Sequence, residues 1–266
     1  MSNFDDLVVE LKSDYCDYAA IVSSIKAELQ KSKLDGNGQE LNLLWAKLTI
    51  TEIYAQYVDV YKKLSDSLFY EAWCAAERVE IDCINLKRNF QDLFHFVEPL
   101  YTSIIYIQRL YPYNLFSSYV INIKSEVCSI CGSVRSIRKD CGHRKGYVYK
   151  GELCCNEVVD FEFKGIDLVE NPVHKFAVLF LCDKNGDKID HYNYCLLEGL
   201  MEHWDKPFQS WSYSVEDIFK TVTDFPGLND NSYCPCGSGK KFVDCCKNNP
   251  LGIKHKLYSF RVAPDE

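Results

Sequence analysis

The sequence predicts an α+β protein: a helical N-terminal domain, then a small zinc-stabilised β-rich domain, then a C-terminal zinc hook. Three observations predict this. Apolar residues recur at three- and four-residue steps up to about residue 110, the spacing of one helix face. After Pro112 the period falls to two. Nine of the fourteen cysteines fall into two tight groups, 128–155 and 234–246. The expected domains are 1–115, 116–227 and 228–266. With 266 residues, 47% hydrophobic and 14% aromatic, the chain can bury one large core or two modest ones, which excludes whole-chain disorder.

The first helix is expected from Phe4 to Leu34, where Leu7, Val8, Leu11, Tyr15, Tyr18, Ile21, Ile25 and Leu29 share a face. Asp35-Gly36-Asn37-Gly38 should end it. A second run, from Leu41 to Val97, is too long for one helix and should part near Asp66 to Tyr70, with a stop at Pro99. A short helix should follow from Leu100 to Leu110, and Pro112 closes the helical region. Tyr119 to Ile123 alternates like a strand. Phe176 to Cys182 and Ile189 to Leu197 flank Asn185-Gly186, the favoured turn pair of a hairpin. Read instead as a calcium loop from Asp183, that turn has its glycine too early and Tyr194 where a Glu is needed. Glu198 to Trp204 and Val215 to Val222 read as short helices. His255 to Val262 reads as an edge strand that returns to pair with the β-rich domain.

The longest uncharged stretch, Leu110 to Ile123, is broken by Pro112, Asn114, Ser117, Ser118 and Asn122 and falls short of the roughly 18 apolar residues of a membrane span. The opening Met-Ser-Asn-Phe-Asp-Asp carries acids where a secretory signal has a basic and then apolar run, so a cytoplasmic protein is expected. The net charge is −8, but unevenly spread: −6 over 1–123, +5 over 124–150, −9 over 151–227 and +2 over 228–266. A nucleic-acid coat is excluded, and any nucleic-acid contact must come from a local patch. Arg144, Tyr147 and Tyr149, near the first cysteine group, are the natural place for RNA bases to stack.

Disulfides are rare in a reducing compartment, so grouped cysteines there point to metal. The first group runs Cys128-x2-Cys131-x9-Cys141-x-His143, with Cys154-Cys155 after ten more residues. A Cys-x2-Cys turn sets two thiolates at the separation tetrahedral zinc requires, and Cys141 with His143 supplies a second pair. Cys154 is an alternative to His143. The five cations Arg135, Arg138, Lys139, Arg144 and Lys145 keep the segment out of an apolar core. This order, continued by Gly146-x-x-Tyr149-x-Gly151-x-x-Cys154 and Asp167-Leu168-Val169-x-Asn171-Pro172, resembles a zinc module of uncharacterised bacterial and mobile-element proteins. That resemblance implies a metal and a local fold and no activity.

The second group, Tyr233-Cys234-Pro235-Cys236-Gly237-Ser238-Gly239-Lys240-Lys241-Phe242-Val243-Asp244-Cys245-Cys246, resembles the SEC-C motif, the zinc hook at the tail of the SecA translocation ATPase and of several small bacterial proteins. Cys246 stands where a His is usual, giving four thiolates. Such a site has no open coordination position, so its zinc should be structural. The resemblance implies docking of an acidic protein or the ribosome, with Lys240 and Lys241 on the outside of the hook. The match covers about 20 residues, and no phosphate-binding Gly-x4-Gly-Lys loop accompanies it.

One catalytic string stands out. Arg88-Asn89-Phe90-Gln91-Asp92-Leu93-Phe94-His95 is similar to the active-site motif of HEPN ribonucleases, which implies His95 as general base and Arg88 on the phosphate. The two are seven apart and would share a helix face. His95 between Phe94 and Phe96 reads more readily as a packing histidine than as a base, and Arg88 as a solvated partner for Asp92. The expectation is therefore a cytoplasmic adaptor with two structural Zn2+ per chain, docking a protein, ribosome or RNA partner and taking no small-molecule substrate. Its alternative is a metal-independent HEPN-like ribonuclease that uses the same hook for targeting.

Overall fold

The computed structural model describes residues 2–35 and 37–263. It is a mixed α+β protein that divides into two compact units. One runs up to Met201 and includes Asp205–Phe208, and the other comprises Glu202–Trp204 and the chain from Gln209 onward. No helix among the described residues is long and apolar enough to cross a membrane.

The first unit opens with α1 (Ser2–Leu11), α2 (Tyr18–Asp35), α3 (Gly38–Ser65) and α4 (Phe69–Asn89). Where one helix was expected over 4–34 there are two. The Asp17 side chain accepts the Ala20 N–H at 3.0 Å and starts α2 afresh. Gly36, in the middle of the expected stop, lies outside the described residues. Asn37 takes the Gln39 N–H at 2.8 Å and caps α3. The expected parting of the second run is present: Ser67 adopts φ +58°, a left-handed conformation no helix continues through.

The stop expected at Pro99 comes ten residues earlier. Phe90 turns to φ −141°, a 3-10 turn follows over Gln91–Phe96, and Pro99 sits instead in the first turn of α5 (Glu98–Leu110). A proline is tolerated there because the first-turn N–H has no intrahelical partner. The core between these helices is made of Ile50, Ile53, Val60, Leu64, Val79, Leu86, Ile104 and Ile107, all buried. Each such side chain contributes about 1.5–3 kcal/mol of apolar burial.

Many of the tyrosines serve this unit. The Trp73 ring meets Tyr111 and Tyr113 edge-on at 4.8 and 5.0 Å, and Phe69 stacks on Tyr194 at 4.3 Å. Tyr113 and Tyr194 share a hydroxyl hydrogen bond of 2.9 Å, and Tyr194 donates to Asp190 at 2.7 Å. Buried Glu77 is met by Lys175, whose Nζ lies 3.6 Å away and also pairs with Glu80. The Trp73 indole donates to the Lys175 carbonyl at 2.6 Å, fixing that loop on α4.

After α5 the chain forms a long antiparallel ribbon from β1 (Phe116–Cys128) and β4 (Asn156–Val169). Between them lie two-residue strands β2 (Val148–Tyr149) and β3 (Glu152–Leu153). The expected hairpin around Asn185-Gly186 is present, with strands reduced to β5 (Leu181–Cys182) and β6 (Lys188–Ile189). The Asp183 carboxylate accepts the Asn185 and Asp187 N–H groups at 2.8 Å each, which closes the turn from within. The short helix expected from Glu198 is α6 (Cys195–Met201).

The second unit is built on β7 (Trp211–Lys220) and β8 (Ile253–Val262), paired antiparallel over ten residues. The trailing strand therefore pairs as expected, but its partner corrects the reading of Val215 to Val222 as a helix. Val215, Ile218, Phe219 and Val222 fit a helical spacing. Trp211, Tyr213 and Val215 alternate as well, and β-branched and aromatic residues suit a ladder. The available partner strand decides between the two.

Candidate metal centres

Two groups of thiol and imidazole side chains have the geometry to hold a metal ion. In each, one ligand atom per residue lies within 4.8 Å of all the others. All fourteen cysteines are free thiols.

The first group forms where β1 ends and β4 begins. Cys128 is the last residue of β1, and Gly132, at φ +67°, returns its N–H to the Cys128 carbonyl at 2.8 Å to close the knuckle with Cys131. Cys141 and His143 flank Gly142, at φ +80°, and the four side chains converge. The His143 Nδ1 is buried without a hydrogen-bond partner, the state of an atom a metal would satisfy. Its ring stands edge-on to Tyr149 at 4.7 Å. Cys154 is buried beside the group, its sulfur 3.8 Å from that of Cys128.

In the sequence Arg135 is one of five cations in a basic segment, with nothing to single it out. Its guanidinium donates to the Cys141 sulfur at 3.3 Å, the Cys154 sulfur at 3.2 Å and the His143 carbonyl at 2.6 Å. Three thiolates and a neutral imidazole around a dication would leave one net negative charge, which Arg135 is placed to offset. The need for such a countercharge was the available signal.

The second group lies in the loop between β7 and β8. Gly237 and Gly239, at φ +77° and +71°, reverse the chain, so that Cys234 N–H donates to the Lys240 carbonyl at 2.8 Å. Phe242 N–H donates to the Ser232 carbonyl at 2.8 Å, and Phe242 and Ile253 share one buried cluster with Cys234 and Cys246. Cys245 then meets Cys236 at 3.5 Å and Cys246 at 3.8 Å, sulfur to sulfur. The Ser238 hydroxyl lies 3.1 Å from the Cys245 sulfur, and its hydrogen bonding holds the Cys236 thiol down to about 6, while burial pushes the Cys246 thiol up to about 12. Lys240 and Lys241 are exposed on this turn.

Arg88 and His95 do not share a helix face. Arg88 is in the last turn of α4, while exposed His95 belongs to the 3-10 turn beyond Phe90. Its Nδ1 is 2.7 Å from the Asp92 carbonyl and its ring lies against Phe96 at 3.9 Å. The string also carries a structural contact. Asn89 donates to the Gly146 carbonyl and accepts the Val148 N–H, both at 2.9 Å, and so ties α4 to the first knuckle. A methyl group at Gly146 would fall 2.0 Å from Arg88 Nη1, so the guanidinium packs directly on that glycine. Neither contact was visible in the sequence, because each joins residues more than fifty positions apart.

No protein family, curated protein or solved structure matches this chain. The likeness to SEC-C thus rests on the motif residues alone.

Proposed function

We propose that this protein is a zinc-binding, non-catalytic adaptor whose C-terminal hook docks a protein or ribonucleoprotein partner. The observation that carries this reading is the hook itself: four cysteines converge on one point while Lys240 and Lys241 stand exposed on the turn that joins them. Soft sulfur donors in fours select zinc. Cys234, Cys236, Cys245 and Cys246 would hold one ion, and Cys128, Cys131, Cys141 and His143 a second, with Cys154 adjacent. Zinc held this way supplies a cross-link that stabilises the loop. With every position taken by protein, no place remains for water or substrate.

The two lysines offset the dianionic tetrathiolate and present compact positive charge on an acidic chain. That complements an acidic protein surface or a phosphate backbone. A reducing cytoplasm suits both centres, since ligand cysteines there stay thiols. The test is a pull-down from native cytosol with mass spectrometry and RNA quantification. It compares the wild type with Lys240→Glu/Lys241→Glu, which leaves the ligands in place, and with Cys234→Ser/Cys236→Ser. Partners lost in both variants support the adaptor, and equal recovery in all three overturns it. RNA cleavage by the purified chain that His95→Ala abolishes would replace it with a nuclease.

A further inference from the structure

The β1–β4 ribbon is apolar on one face only. Ser117 pairs with Leu168, Tyr119 with Ile166, Ile121 with Phe163, and Ile123 with Phe161. Directly paired residues project to the same side, and alternate residues along β1 share it. The Tyr119 and Phe163 rings, 6.3 Å apart, confirm that the rows coincide. The seven large side chains of this face are between 39% and 73% exposed, and Lys164, which bulges out of register between Phe163 and Gly165, pairs with Glu162 of the opposite face. The opposite face pairs Ser118 with Asp167, Val120 with Gly165 and Asn122 with Glu162, so Val120 is its one large apolar side chain in this stretch.

One-sided patterning of this kind belongs to a sheet that covers a core. A two-stranded ribbon with that face in water is marginal by itself. This one is pinned at both ends, by the Ser117 N–H on the Ala177 carbonyl at 2.8 Å and by Cys128 in the first metal centre. It is therefore presented as a fixed surface.

We propose that this face is a dimer interface, covered by the same ribbon of a second copy of the chain. The exposed side chains offer roughly 700 Å² per chain, close to the roughly 800 Å² per partner of a standard interface. An uncharged, aliphatic and aromatic surface is the composition of homodimer contacts. It offers no cation to a nucleic acid or an anionic lipid, and Glu157, Asp160, Glu162 and Asp167 make β4 acidic. A two-fold axis through the Ile121–Phe163 pair lays the Tyr119–Ile166 layer of one copy on the Ile123–Phe161 layer of the other. Aromatic rings then meet aliphatic side chains across sheets about 10 Å apart.

Sedimentation equilibrium of the full, metal-loaded chain from about 1 to about 100 µM tests this. The wild type should be a dimer, and Phe163→Lys should weaken the dimer by at least about 100-fold, because it buries an ammonium group at the centre of the contact. Asn122→Lys, on the opposite face, should leave it unchanged. Unaltered metal content in each variant separates loss of the interface from loss of the fold. A photo-crosslinking residue at position 163 should join two chains through positions 119–123 or 161–168. A wild type that is monomeric at the highest concentration overturns the proposal, as does a dimer indifferent to Phe163→Lys. Binding of a monomeric wild type to phosphatidylcholine vesicles through these residues would assign the face to a membrane surface and equally overturn it.

Discussion

With the hook loaded as proposed, removing its metal should open it locally. The buried residues there are Cys234, Phe242, Cys246 and Ile253, with Phe225, Leu228, Cys236 and Cys245 packed around them. Phe242 and Ile253 supply the main apolar burial, about 2–3 kcal/mol each. Ordering a handful of loop residues at roughly 1–2 kcal/mol apiece offsets that gain. Structural zinc in zinc-finger peptides contributes about 10–16 kcal/mol, so the metal would be the larger stabilising effect. Loss of even about 4 kcal/mol from the local opening free energy accelerates amide exchange about a thousandfold. Hydrogen exchange with mass spectrometry, before and after a zinc-selective chelator, reads this directly. The reporters are the N–H groups of Cys234 and Phe242, both in 2.8 Å bonds, and that of Lys247, bonded to the Phe242 carbonyl at 3.2 Å. The α3–α4 amides serve as the internal reference. Unchanged protection of the hook in protein shown to be metal-free would refute the reasoning.

Three further outcomes are expected. Asn89→Ala leaves the Val148 N–H without its acceptor and should cost about 2 kcal/mol, seen as a lower Tm and faster exchange over 146–153. Lys175→Met leaves buried Glu77 without its cation and should cost about 3 kcal/mol in urea denaturation, most of it recovered in Glu77→Gln/Lys175→Met. Burial pushes the Asp82 carboxyl from 3.8 up to about 6, against the opposing hydrogen bond from Gln56. The folded state then binds more protons than the unfolded one between those values, so stability falls as pH rises through that window. Asp82→Asn should remove this dependence, matching wild type near pH 4 and exceeding it at pH 7 by up to about 3 kcal/mol in denaturant titrations.

The helices were legible because their apolar stripes face one core, and the parting near Asp66 because a breaker coincides with a change of stripe. The break between α1 and α2 was also written in the sequence, as an aspartate capping at Asp17, but the apolar period runs through it and masks it. The strand at 211–220 was not legible alone. Its residues satisfy both periods, and only β8, from more than thirty positions away, selects the ladder. The two candidate metal clusters were readable because tetrahedral thiolate chemistry constrains both residue type and spacing. Arg135 and Asn89 were not, since their roles arise from contacts that the folded chain creates. Arg88 and His95 show the converse: the one helix expected to carry both residues ends once Phe90 leaves it.

Metal content measured on intact chains tests the central claim most directly. Native mass spectrometry with elemental analysis of reduced protein, purified without chelator, should find two zinc ions per chain. Cys234→Ser/Cys236→Ser and Cys128→Ser/Cys131→Ser should each leave one. His143→Ala should lose the first ion while Cys154→Ser keeps it. A chain with intact thiols and no bound zinc, or with a zinc count indifferent to both cysteine pairs, would contradict the account.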